Sequence, residues 1–65
     1  MLAEFNYAKF DDLKSASLWL QLHGYTQLLR KQYTDCIQAW CKSQSVAKVQ
    51  PLPSGKFLVQ EFKIV

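Results

Sequence analysis

The residues able to do chemistry are few. His23 is the only histidine, and it sits beside Gly24, where a helix ends more naturally than a general base is held. No Ser-His-Asp or Cys-His arrangement can be assembled around it. Cys36 and Cys41 are five apart in a stretch with helical spacing, about 7.5 Å apart along such a helix and on different sides of it, beyond disulfide reach. Without a Cys-x-x-Cys pair or carboxylates at ligand spacing, no metal site is expected. Asp11 and Asp12 are adjacent, so they point apart and suit a helix start better than paired acid-base work. Both glycines are isolated, so no phosphate loop exists. The expectation is a protein that is not an enzyme and needs no cofactor.

Binding chemistry is better supplied. The chain holds nine aromatic residues and seven glutamines. Aromatic rings between basic residues can stack on bases, and glutamine can read an adenine edge, although core packing and solvated faces account for most such residues. Charge is uneven. Residues 1–12 carry a net −2 and residues 13–65 a net +5, within an overall +3. Lys14, Arg30, Lys31, Lys42, Lys48, Lys56 and Lys63 are dispersed along the chain, so only a fold could gather them on one face.

The elements that must position these groups fit one domain over residues 1–65. A composition of 49% hydrophobic and 20% charged residues excludes disorder, and 65 residues cannot house separate cofactor and substrate domains. Neither a signal sequence nor a membrane span is evident, and unpaired thiols point to the cytoplasm. Glu4 to Phe10 alternates as a short strand. Asp11 or Asp12 caps a helix from Leu13 to His23, whose apolar circumference is wide enough to be buried on more than one side, and Gly24 stops it. From Thr26 to Ser43 the apolar positions Leu29, Tyr33, Cys36, Ile37 and Trp40 follow a helical period. This stretch is one helix or two, since Thr34 and Asp35 offer a second cap. A β-hairpin closes the chain: Val46, Val49 and Leu52, a turn at Pro53, Ser54 and Gly55, then Phe57 to Val65. Pro51 and Pro53 lack N–H groups, which places the first hairpin strand at a sheet edge near the turn.

Helices followed by a hairpin with Gly and Lys at its tip give the order of an α+β winged helix-turn-helix domain, with an N-terminal strand and two or three helices. The run Thr34 to Trp40 resembles the recognition helix of temperate-phage excisionases, the recombination directionality factors. Val46, the two prolines, Gly55, Lys56, Phe57 and Glu61 resemble that family's helix exit and wing. The likeness covers residues 34–62. It implies a small regulator that binds double-stranded DNA, bends it and recruits a recombinase or other protein. By position, it puts Asp35, Gln38 and Lys42 on the groove face, Asp35 tolerated only at a base edge such as a cytosine amino group. It puts Lys56 on the wing and Ile37 and Trp40 in the core. Thr26, Arg30, Lys31, Lys42, Lys48 and Lys56 would contact phosphates, with a salt slope of about −4. The alternative is a protein-interaction module, a phage- or plasmid-type inhibitor or a self-associating chain, that uses the apolar helix Leu13 to His23. It follows if Thr26 to Ser43 is one helix above a sheet built from the Phe5, Val49 and Phe62 regions.

Overall fold

A computed structural model describes residues 1–29 and 36–65. The N-terminal alternation forms β1 (Leu2–Phe10). Asp12 then caps α1 (Leu13–Leu22), its Oδ1 accepting from the Ser15 N–H at 2.7 Å. That bond, with the Ser15 hydroxyl, holds the Asp12 carboxyl below its ordinary range. His23 closes the helix and Gly24 leaves it at φ +85°, a left-handed conformation that costs glycine little. Three further strands, β3 (Gln38–Lys42), β4 (Ser45–Pro51) and β5 (Phe57–Ile64), form a meander with β2 (Thr26–Leu28) at its outer side. The sheet is antiparallel throughout, in the order β1-β5-β4-β3-β2.

This is a sheet with one helix, not a winged helix-turn-helix domain, and the second and third helices expected between Thr26 and Ser43 are absent from the described residues. Thr26 to Leu28 and Gln38 to Lys42 are strands instead. The helical spacing of Leu29, Cys36, Ile37 and Trp40 is outweighed by pairing along the chain: Trp40 opposes Ala47 and Gln27, and Cys41 opposes Val46 and Thr26. The turn that allows this joins β3 to β4 through Ser43 and Gln44, with Ser43 at φ +43°. Such a two-residue connection usually announces itself with Gly or Asn, and neither is present. Tyr33 and the Thr34–Asp35 cap of the expected recognition helix lie outside the described residues.

Register sorts the side chains into two faces, because paired residues in an antiparallel ladder point the same way. One face carries Trp40, Ala47, Val49 and Val59, and α1 lays Ala16 and Leu20 on it, with Tyr25 joining from the helix exit. Leu20, Val49 and Val59 are fully enclosed, each contributing about 1.5–3 kcal/mol relative to exposure. Phe10 and Trp19 seal one end with ring centroids 5.7 Å apart. The helix is buried along one stripe only. Leu18 and Leu22 face outward, Leu22 at 77% exposure, so burial on more than one side is not found.

The hairpin expected at the C-terminus is present, but its first strand, β4, is the central strand of the sheet rather than an edge. Pro51 is tolerated there because the β3 ladder on that side ends at Val49, where the Ile37 N–H meets the Val49 carbonyl at 2.9 Å. The missing proline N–H therefore falls beyond the neighbour's reach.

Candidate interaction surface

Among the described residues, those singled out for DNA contact fall on both faces of the sheet. Gln38 and Lys42 lie on the face that α1 covers, whereas Thr26 and Lys48 lie on the opposite face. Gln38 Oε1 accepts from Trp40 Nε1 at 3.2 Å and from Ser17 Oγ at 3.3 Å, so its amide ties the helix to β3. Lys42 Nζ donates to the His23 carbonyl at 2.9 Å and stands 4.6 Å from the centre of the Tyr25 ring. A cation at the C-terminal end of a helix is favoured by the helix dipole. Lys48 extends over the Phe62 ring, 5.5 Å from its centre. Lys56 sits in the β4–β5 turn and its Nζ is 3.7 Å from Asp11 Oδ1, an exposed pair that adds little stability. Arg30, Lys31 and Asp35 lie outside the described residues. Trp40 is in the core as expected, but Ile37 is exposed.

Among the described residues, the buried charged side chain is Glu61, 5% exposed in the middle of β5. Its Oε2 accepts from the Tyr25 hydroxyl at 2.6 Å and its Oε1 from Asn6 Nδ2 at 2.8 Å. Burial, and then the bond to Glu61, pushes the Tyr25 hydroxyl well above its usual ionisation range. A buried carboxylate is tolerable only when its oxygens are engaged, as both are here. The arrangement clamps β1, β5 and the helix exit together, with no buried side-chain nitrogen or oxygen left without a partner among the described residues. Among those residues, no three His, Cys, Asp or Glu side chains gather as metal ligands, and no helix is long and apolar enough to cross a membrane.

Exposed apolar side chains concentrate at the β1 side of the sheet. The first six residues of β1 are all exposed, with Phe5 at 53% and Tyr7 at 62%. Leu2 opposes Ile64 across the β1–β5 ladder, and both are exposed. The ladder skips a residue between Glu4 and Asn6, so Phe5 is an extra residue in a bulge. β1 ends the sheet, and its far side offers backbone groups along nine residues, whereas the opposite edge strand β2 has only three. The alternation of β1 is legible in the sequence, but its place at an edge depends on β5 pairing with it from the far end of the chain.

Placed beside known proteins, the chain finds no counterpart: no family model, no curated protein and no solved structure matches it.

Proposed function

We propose that this chain is a small protein-binding module that works by contact rather than by chemistry, and that its contact surface is the β1 flank of the sheet. The observation that carries this reading is the clustering of Leu2, Phe5, Tyr7 and Ile64, all exposed, along one long edge strand and its neighbour. A small protein has little reason to leave four large apolar side chains exposed along one edge strand and its neighbour unless a partner covers them. Phe and Tyr are also the residue types that dominate the buried centres of protein interfaces. The surface differs from the apolar helix first expected, although Leu18 and Leu22 of α1 remain a smaller second patch. Cys36 and Cys41 form no disulfide, which suits a reducing compartment such as the cytoplasm.

Binding of double-stranded DNA, and recruitment of a recombinase, rested on a recognition helix over Thr34 to Trp40, and Gln38, Ala39 and Trp40 of that run belong to a strand instead. A photoreactive phenylalanine analogue in place of Tyr7, with the same analogue in place of exposed Gln21 as control, separates the two ideas. Protein adducts formed at position 7, absent at position 21 and lost on adding Leu2→Lys, are the expected outcome. Adducts at both positions alike, none at either, or salt-sensitive duplex DNA binding that Leu2→Lys leaves intact, would sink the proposal.

A further inference from the structure

We infer that the partner on this flank is a second copy of the same chain, joined by antiparallel pairing of β1 with the partner's β1 about a twofold axis through Tyr7. The inference rests on the protein-binding reading above and names its occupant. Three observations converge on it. The open side of β1 is a nine-residue run of backbone at the end of the sheet, and a strand added there continues the ladder. The flank exposes Phe5 and Tyr7, whose rings gain cover from an adjoining strand. Charge then selects the register.

Glu4 and Lys9 both point away from α1, since they pair with Phe62 and Leu58 on the helix-free face. The bulge at Phe5 shifts the alternation by one residue between them. In a twofold pair, Tyr7 faces the partner's Tyr7, and Asn6 on the helix side meets the partner's Ala8. The next outward position beyond the bulge brings Glu4 opposite the partner's Lys9, and symmetry repeats the contact. Each pair matches in face, and Glu4 with Lys9 matches in charge as well. Glu4 Oε1 accepts from Gln60 Nε2 at 2.9 Å across the β1–β5 ladder, so in the dimer the carboxylate is shared between that amide and the incoming ammonium. Bulges and lysines ordinarily blunt an edge against indiscriminate pairing. In this register they permit one alignment and penalise its neighbours, because a shifted strand sets Lys9 against an apolar side chain or puts side chains on the wrong face.

The test is sedimentation equilibrium of the full chain across micromolar to millimolar concentrations, with circular dichroism to verify each variant's fold. Wild-type chain is expected to dimerise reversibly. Glu4→Lys, and separately Lys9→Glu, should each weaken the dimer by about tenfold or more, since each places like charges together twice. The double exchange Glu4→Lys/Lys9→Glu should restore it. In a background with Cys36→Ser and Cys41→Ser, Tyr7→Cys should oxidise to a covalent dimer and Ala8→Cys should not. Wild-type chain that stays monomeric throughout, a dimer indifferent to the single charge exchanges, no recovery in the double exchange, or equal cross-linking at both positions would overturn the inference. A monomer whose position-7 photoadduct is a different protein overturns the second copy alone and leaves the protein-binding reading standing; no adduct and no dimer remove both.

Discussion

Tyr25 and Glu61 show how a single contact can be worth more than its number of bonds suggests. The Glu61 carboxylate is enclosed and has exchanged water for the Tyr25 hydroxyl and the Asn6 amide, so removing either donor leaves a charge partly unsatisfied where water cannot reach it easily. Tyr25→Phe should therefore lower stability by about 1–3 kcal/mol, measured by urea denaturation at neutral pH. The same contact gives a pH dependence. The Tyr25 hydroxyl ionises well above its ordinary 10.0 in the folded chain, so its contribution is complete below that value and declines as pH rises beyond it. Alkaline denaturation should show a steep loss of stability above about pH 10, and Tyr25→Phe should flatten that limb; an unchanged limb would mean that another group controls it.

At the scale of elements, α1 and the β3–β4 turn make opposite cases. The helix is written locally: Asp12 caps it, Gly24 ends it, and its start and stop agree with the sequence within a residue. The β3–β4 turn is carried by Ser43 in a left-handed conformation that serine disfavours, and it holds only because strands on both sides are already paired. Ser43→Gly relieves that strain at some cost in unfolded-chain entropy, with an expected gain of up to about 1 kcal/mol and a rise of several degrees in Tm by thermal circular dichroism. A fall in Tm would show that the serine side chain contributes more than its backbone costs. The same turn explains the missing helices. Gln38 to Lys42 has a residue pattern compatible with a helix, but as a strand it buries Trp40 against Ala47 while Gln38 anchors Ser17.

At the scale of the molecule, the core is thin: one helix on one sheet, with Leu20 as the largest fully enclosed side chain of that helix. A domain this small has about 3–5 kcal/mol of net stability, and Leu20→Ala removes about 2–5 of it. That variant should be largely unfolded at 37 °C by circular dichroism, whereas Leu22→Ala, on the exposed side of the same helix, should be close to wild type. Pairing of two sheets through β1 would offset this marginality by mass action, because a partner that binds only the folded chain stabilises it. Thermal stability that rises with protein concentration, and rises less over the same concentrations in the Glu4→Lys chain, is the corresponding signature.

The local parts of this protein were settled by neighbouring residues alone: the alternation of β1, the Asp12 cap, the Gly24 stop and the Pro53-Ser54-Gly55 turn each draw on contacts a few residues long. The segment from Thr26 to Ser43 could not be settled that way, since its apolar spacing suits a helix and its turn carries no glycine. Pairing with β4 decided it, and pairing of β5 with β1 decided which strand became the edge and which lysines faced apart. Those ladders join residues as far apart in the chain as Leu2 and Ile64. Their free energy is gained only when the whole sheet closes, so no window of sequence contains it.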